Sequence, residues 1–172
     1  MALHLRQGLL IAFAAIIIDQ ASKWGMLSLL PNPGRSIDVA PFFNLVHVWN
    51  WGISFGLFSE HREWGRWVLT ILALIIVTVL FFWLRKAENK IIAAGLGLII
   101  GGALGNVIDR LIHSAVFDFL DFHVSGYHWP AFNAADSFIT VGAVLLIFDS
   151  LFSRSASENR MPGNKGENHE NQ

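Results

Sequence analysis

Four long hydrophobic runs dominate this chain of 172 residues, and a short polar cluster lies within or directly beside each of them. A helix needs about 20 mostly apolar residues to cross the ~30 Å hydrocarbon core of a bilayer. Because 53% of all residues are hydrophobic, little of the chain is left for a separate soluble domain. We therefore predict a mainly α-helical integral membrane protein in which residues 1–152 form one domain. Its predicted transmembrane helices are residues 8–30, 67–84, 91–110 and 134–152.

The connection between the first two predicted spans, residues 31–66, has a different composition. Residues 37–58 mix β-branched and aromatic side chains with glycines, which is typical of short strands. Residues 60–67 combine charges with Trp64 and Trp67 at helical spacing, as in a helix of the headgroup layer. We predict a small extracytoplasmic β-rich cradle followed by an interfacial helix. Residues 153–172 lose all apolar periodicity and are predicted to be a disordered cytoplasmic tail.

The distribution of Lys and Arg predicts the orientation, because short loops rich in these residues stay in the cytoplasm. The more basic segments precede the first span, connect the second to the third and follow the fourth. Both termini are therefore predicted to be cytoplasmic, and all polar clusters then reach one extracytoplasmic face. The basic residues of the predicted cytoplasmic side are Arg6, Arg85, Lys86, Lys90, Arg154, Arg160 and Lys165.

Ionisable residues inside a membrane are costly unless paired, and they usually mark function. Asp19 and Lys23 are four residues apart, so a helix places them on one face within reach of an ion pair. Asn106 and Arg110 share this spacing, with Asp109 in the same turn. A purely structural ion pair, or an Arg110 that extends to lipid phosphate, is the alternative. Gly97, Gly101 and Gly105 form a small-residue stripe that predicts the close approach of another helix.

Two further carboxylates lie at the predicted membrane surface, each among apolar residues. Asp118 follows the third span, and Asp136 opens the fourth. Two carboxylates at close range can share one proton, so that one acts as a base toward water and the other as an acid toward a carbonyl. Sequence spacing does not establish that they meet, and Asp121, in a second Asp-Phe dipeptide, is a rival for the acid.

Several other chemistries find no support in the sequence. The chain has no cysteine, which excludes disulfides and thiolate catalysis. Its seven histidines are scattered without an H-E-x-x-H spacing, so we predict no metal site. Residues 52–56 match G-x-S-x-G but lack the strand-turn-helix context of a nucleophile elbow. We predict neither a cofactor nor nucleic-acid binding, because no phosphate-binding loop or nucleic-acid motif occurs.

Five short motifs occur in an order that resembles the bacterial lipoprotein signal peptidase family, also called signal peptidase II. The resemblance covers nearly the whole chain outside the tail, and its specificity comes from the set as a whole. Phe117 and Trp51 depart from it, because smaller residues are common at their positions. The motifs are Asp19-Gln20-x-Ser22-Lys23, Asn50-x-Gly52-x-Ser54-Phe55, Gly105-Asn106-x-x-Asp109-Arg110, Val116-x-Asp118-Phe119 and Phe132-Asn133-x-Ala135-Asp136.

The resemblance implies an aspartic endopeptidase of the bacterial inner membrane that needs no metal or cofactor. It implies that Asp118 and Asp136 are the catalytic dyad. Its substrates would be prolipoproteins whose cysteine already carries diacylglycerol, cut just before that cysteine. Membrane phospholipid and cyclic-peptide inhibitors of the globomycin type are the other partners that it implies, which would make the protein an antibiotic target. The supporting site residues would be Asp19, Lys23, Asn50, Asn106, Asp109, Arg110 and Asn133.

Two other classes remain open at the level of sequence. In a small proton-coupled transporter, Asp19, Lys23, Asp109 and Arg110 would form a relay through the membrane. This fits less well, because the charges lie toward one face. A purely structural membrane subunit would leave the Asn and Asp residues of the clusters unexplained.

Overall fold

The computed structural model describes residues 2–52 and 62–158, in which helices and strands form one membrane-type fold. Ser54, Phe55 and Gly56, which belong to the second polar cluster, lie outside the described residues, as do residues 159–172. The described elements, in chain order, are α1 (Ala2–Leu29), β1 (Ser36–Ala40), β2 (Phe43–Asn50), α2 (Arg62–Leu84), α3 (Lys90–His113), β3 (Val116–Val124), β4 (Tyr127–His128) and α4 (Ala134–Glu158).

All four helices are long and apolar enough to cross a membrane, which confirms the predicted number of spans and the mainly α-helical class. The membrane-length parts are Leu3–Leu29, Trp64–Leu84, Lys90–His113 and Ala134–Phe152. We call the end at which α1 and α3 finish and α2 and α4 begin the site end of the bundle. The opposite end is packed with small and aliphatic side chains, namely Ala12, Leu84, Ala87, Ala93, Leu96 and Ile100.

Two predicted segments differ from the structure. Within the described residues, 62–67 are the first turns of α2 and not a separate interfacial helix. No proline interrupts the helix at Trp64 and Trp67. Arg66, in the same turns, donates a hydrogen bond to the Ser114 hydroxyl at the end of α3. Similarly, α4 runs on to Glu158, into the segment predicted to be disordered. Glycine and proline are the residues least favourable in a helix, and after Phe152 they first occur at Pro162 and Gly163.

The central helix of the bundle is α3, and its glycines bring it into backbone contact with two neighbours. A Cβ atom on Gly97 would lie 2.5 Å from the carbonyl oxygen of Gly8, and one on Gly101 would lie 2.5 Å from that of Ala12, both in α1. On another face, a Cβ on Gly102 would lie 2.5 Å from the carbonyl oxygen of Ala135 in α4. The predicted small-residue stripe is thereby confirmed, since only glycine fits at these distances.

At the site end, the strands form one antiparallel sheet in the order β1-β2-β3-β4. The β1–β2 hairpin was expected from the composition of residues 37–58. The long strand β3 was not, although it supplies the centre of the sheet: it pairs with β2 from Phe43↔Phe122 to Asn50↔Val116. Phe132 forms a further bridge to Leu120 of β3. This bridge ties the start of α4 to the strand that carries Asp118.

Candidate active site

A buried group of three charges joins α1 to α3 at the site end. The Lys23 ammonium lies 2.9 Å from a carboxylate oxygen of Asp19 and 2.9 Å from one of Asp109. The three side chains are at most 4% exposed. Gln20 also donates to both carboxylates, at 3.1 Å to Asp19 and 3.0 Å to Asp109. Since a buried charge is tolerated only when paired and hydrogen-bonded, these contacts account for the charges inside the bundle.

Each carboxylate of this charged group also holds a backbone amide next to a candidate catalytic residue. Asp19 accepts a hydrogen bond of 2.9 Å from the backbone N–H of Ala135, the residue before Asp136. Asp109 accepts one of 3.1 Å from the backbone N–H of Phe117, the residue before Asp118. The charged group therefore fixes the start of α4 and the start of β3 relative to each other.

The amides of Asn106 and Asn133 connect the charged group to Asp118 and Asp136. The Asn106 side-chain oxygen accepts from Lys23 at 3.0 Å, and its Nδ2 donates to Asp136 at 2.9 Å. The Asn133 Nδ2 donates to Asp118 at 2.7 Å and to the Asn106 oxygen at 3.3 Å. The two carboxylates thus belong to one hydrogen-bonded network.

Asp136 is held in addition by the N-terminal cap of α4. The Asn133 side-chain oxygen accepts the backbone N–H of Asp136 at 3.0 Å, and the Asp136 carboxylate accepts the backbone N–H of Asn133 at 3.3 Å. This reciprocal pair has the geometry of a capping box, in which the residue at the third helical position reaches back to the cap. The local sequence Asn133-Ala134-Ala135-Asp136 therefore both starts the helix and orients its first carboxylate.

The environment of Asp118 favours its protonated form. The residue is 1% exposed, and burial, followed by the nearby Asp136 carboxylate, raises the pKa of Asp118 to about 7. Hydrogen bonds from Asn50 and Asn133 act in the opposite direction by stabilising the carboxylate. Asn50 is itself fixed, because its side-chain oxygen accepts the backbone N–H of Gly52 at 2.8 Å.

Arg110 lies at the edge of the same group. Its guanidinium donates a long hydrogen bond of 3.4 Å to the backbone carbonyl of Asn106 and interacts electrostatically with Asp136, Asp109 and Asp118. It supplies positive charge beside the carboxylates.

Asp121 lies in a different environment although it is on the same strand. Its carboxylate contacts the His128 ring nitrogen at 2.9 Å and accepts from Asn44 at 3.2 Å. Successive side chains of a strand point to opposite faces, so Asp121 and Asp118 lie on opposite faces of the sheet. Asn44 and His128 are different residues from Asn106 and Asn133, which bond Asp118 and Asp136.

Two apolar grooves reach this network from opposite sides of α4. One, of about 440 Å³, is lined by Trp129, Phe132, Asp136, Ser137, Thr140 and Val141. The other, of about 280 Å³, lies between α2, α3 and α4 and reaches Asn106 and Arg110; its apolar lining is Leu69, Leu72, Ala73, Ile76, Ile99, Ala103 and Ile139. Apolar walls with a few polar groups at one end are typical of ligand sites.

The structure thus brings all nine predicted site residues to one end of the bundle. Gln20 belongs to the first motif and also joins the site, although it was not predicted to be a site residue. Its position next to Asp19 is the sequence feature that could have indicated this. The backbone amides of Phe117 and Ala135 had no signal in the sequence. Among residues 2–52 and 62–158, no group of three or more His, Cys, Asp or Glu side chains has the geometry to hold a metal ion.

Phe117 and Trp51, the two residues that depart from the family motifs, lie in different surroundings. Phe117 is 1% exposed, and its ring lies 5.0 Å from that of His47 and 5.4 Å from that of Trp49. The large side chain therefore fills the face of the sheet opposite to Asp118. Trp51 is 37% exposed at the end of β2, beside Asn50.

Comparisons with known proteins agree with this architecture. Lipoprotein signal peptidase of Methylobacterium sp. (strain 4-46) is 41% identical over 155 residues, which cover 90% of this chain and 94% of that protein. Lipoprotein signal peptidase of Burkholderia ambifaria is 48% identical over 142 residues, covering 82% and 85%. A solved structure described as a bacterial membrane enzyme determined by the in meso method at 2.3 Å resolution has a TM-score of 0.75 and 31% identity, covering 90% and 93%.

The fold and the site define a multi-pass bacterial membrane protein with a polar site at one end of its bundle. The family model described as signal peptidase (SPase) II matches residues 11–152. The chain therefore belongs to the signal peptidase II family, as the five motifs predicted.

Proposed function

We propose that this protein removes signal peptides from diacylglyceryl-modified prolipoproteins and that Asp118 and Asp136 catalyse the cleavage, just before the lipidated cysteine. Membership of the signal peptidase II family supports peptidase activity. The observation that carries the catalytic assignment is the network through Asn106 and Asn133, which connects both carboxylates and leaves Asp136 on the wall of an apolar groove.

The raised pKa of Asp118 assigns the two roles in this proposal. Asp118 begins the reaction with its proton, and Asp136 takes a proton from a water whose oxygen attacks the scissile carbonyl carbon. Asp118 donates its proton to the carbonyl oxygen, which gives a tetrahedral diol. When the diol collapses, Asp118 recovers a proton from one hydroxyl, while Asp136 gives its proton to the leaving amine of the cysteine residue. Both carboxyl groups return to their initial states.

The position of the two carboxylates suits a substrate that is held by lipid. A peptide bond next to a diacylglyceryl cysteine stays near the membrane surface, and Asp136 is at the first turn of a membrane-length helix. The two grooves provide separate apolar paths along α4 to the network. A transmembrane relay gains no support, because the buried charges of the described spans, Asp19, Lys23 and Asp109, all lie at the site end.

Cleavage of a defined precursor tests this function. Purified protein in lipid vesicles should release the signal peptide from a synthetic precursor whose cysteine carries diacylglycerol, and mass spectrometry should place the cut before that cysteine. A matched precursor without the lipid serves as the control and should remain largely intact. Equal cleavage of both precursors would contradict the substrate assignment, and no cleavage of either would contradict the activity.

The proposed orientation, with the site end outside the cytoplasm and both termini inside, has an independent test. Because the chain has no cysteine, single cysteines can replace Asp38 on β1 and Glu88 between α2 and α3. An impermeant maleimide applied to intact cells should label position 38 and not position 88. The reverse pattern would overturn the orientation without affecting the chemistry.

A further inference from the structure

The far end of β3 and the short strand β4 form a hairpin with two chemically different faces. Ser125 and Gly126 form its two-residue turn, and both have positive φ, 50° and 83°, as a type I′ turn requires. Val124 pairs with Tyr127, whereas His123 pairs with His128. Since residues opposite each other in a strand pair share a face, the apolar and polar pairs lie on opposite sides of the hairpin.

The apolar side is extended by neighbouring aromatic residues. Trp129 donates its backbone N–H to the carbonyl of Phe122, two residues before Val124 on β3. A shallow groove of about 450 Å³ is lined by these apolar side chains and Phe42, together with His123 and His128. We call the five apolar residues of this groove the aromatic face: Phe42, Phe122, Val124, Tyr127 and Trp129. All five are well exposed, from 42% for Phe122 to 85% for Tyr127.

The alternation of β3 shows which way the aromatic face points. Asp118, Phe122 and Val124 are separated by even numbers of residues, so their side chains lie on the same face of the strand. Asp118 on this face contacts Asn133, the cap of α4. The aromatic face is therefore the continuation of the face that looks toward the helix bundle, beyond the point at which helices cover it.

Trp129 joins the aromatic face to the surface of α4. It lines the 440 Å³ groove together with Thr140 and Val141. With a rise of 1.5 Å per residue, Val141 lies about 10 Å from the start of α4, well inside the span. Val141 and Val144 are 50% and 58% exposed on this membrane-spanning helix. The aromatic face thus continues at Trp129 into a groove that reaches apolar side chains at membrane depth and that also contains Asp136, Ser137 and Thr140.

We propose that the aromatic face lies in the boundary between headgroups and acyl chains of the leaflet at the site end, so that the hairpin anchors the sheet to the bilayer. Trp and Tyr are enriched at this depth because their rings are apolar and their N–H and O–H groups remain hydrated. On the opposite face, Asp121 is bonded by Asn44 and by His128, whose side chain is 54% exposed. This proposal goes beyond the peptidase function and holds whichever residues catalyse the reaction.

Spin labels on single cysteines test the anchor in lipid vesicles. Val124→Cys and Tyr127→Cys place labels on the aromatic face. Asp38→Cys is the matched control, because Asp38 is exposed and pairs with Asn44, which pairs in turn with Asp121 on the polar face. The measurement is the accessibility of each label to apolar oxygen and to a water-soluble nickel chelate, and size-exclusion elution verifies that each labelled protein is folded.

Labels at positions 124 and 127 should favour oxygen over the nickel chelate, and the label at position 38 should favour the nickel chelate. A preference for nickel at both 124 and 127 in vesicles would overturn the proposal. Strong spin–spin broadening at both positions would also overturn it, because it would show that a second copy of the chain covers this face.

Discussion

Asp118 and Asp121 lie on the same strand, each is followed by phenylalanine, and each is at most 6% exposed. They differ in what surrounds them. Asp118 is bonded by Asn133 from the cap of α4 and by Asn50 from β2, close to a second carboxylate. Asp121 is bonded by Asn44 and by His128, whose side chain is 54% exposed. The comparison teaches that burial alone does not distinguish the two carboxylates: of the two, only Asp118 is connected to a partner carboxylate by the amides of Asn133 and Asn106.

The largest effect should come from removing either carboxylate of the proposed pair. Asp118→Asn or Asp136→Asn keeps the shape but cannot exchange a proton, so kcat should fall by about 10²–10⁴-fold. The double variant should be little worse than either single one, because the two groups act as a unit. Asp121→Asn is the matched control and should retain most of the activity. A loss confined to Asp121→Asn in the lipidated-precursor assay would reverse the comparison.

A smaller but substantial loss is expected when the charge between Asp19 and Asp109 is removed. Lys23→Met keeps the length of the side chain but leaves two buried carboxylates without their cation, a change that costs about 3–5 kcal/mol when a buried pair is broken. We expect lower thermal stability together with lower kcat, since both carboxylates also hold backbone amides beside the dyad. Lys86→Met, at an exposed position near the opposite end, should change neither quantity.

The next largest effect should distinguish two asparagine variants, one on each face of β3. Asn133→Ala removes the hydrogen bond to Asp118 and the cap of α4, and loss of such a cap alone costs about 0.5–2 kcal/mol. Asn44→Ala removes the corresponding hydrogen bond to Asp121. Cleavage rates should fall markedly for Asn133→Ala and little for Asn44→Ala. Similar rates for the two variants would mean that the two sides of β3 do not differ in the way proposed.

The smallest expected effect is a displacement of the pH profile. Burial and Asp136 raise the pKa of Asp118 to about 7, so kcat/KM should decline as pH rises above about 7 and the acid loses its proton. The hydrogen bond from Asn50 stabilises the carboxylate and lowers this pKa. Asn50→Ala should therefore raise it and move the alkaline limb to higher pH. Asn44→Ala should leave the limb in place, and a move to lower pH for Asn50→Ala would contradict the assignment of the acid.

Much of the helical architecture could be predicted from the sequence because membrane spans carry strong local signals. Residues 67–84 are uncharged over a membrane length, and the glycine spacing at Gly97, Gly101 and Gly105 predicted a close helix contact that the structure confirms. The ends were harder: α2 begins at Arg62, before the apolar run, and α4 passes Phe152. Helix ends depend on capping residues and on contacts between segments, which hydropathy does not encode.

The contacts of the site, like the helix ends, could be predicted only where the signal is local in the sequence. The residue types and the i, i+4 spacing of Asp19 and Lys23 predicted their ion pair. No local pattern could indicate that Asp109 would complete the charged group or that β3 would pair with β2, because both depend on contacts between segments distant in sequence. The catalytic roles of Asp118 and Asp136 were predicted from two carboxylates among apolar residues at the membrane surface and from the resemblance to a family, and they stay a prediction until the variants are measured.

The glycine contacts of α3 have a mechanical consequence. Where backbones touch, helices cannot slide or separate without losing contact along their whole length, so α1, α3 and α4 should behave as one stiff plate. In contrast, α2 packs on this plate through side chains such as Leu80 and Phe81, which can change rotamer. Among the four described helices, we expect α2 to move most easily. A bulky substrate would then enter by bending α2 outward, while α1, α3 and α4 keep the polar groups of the site in position.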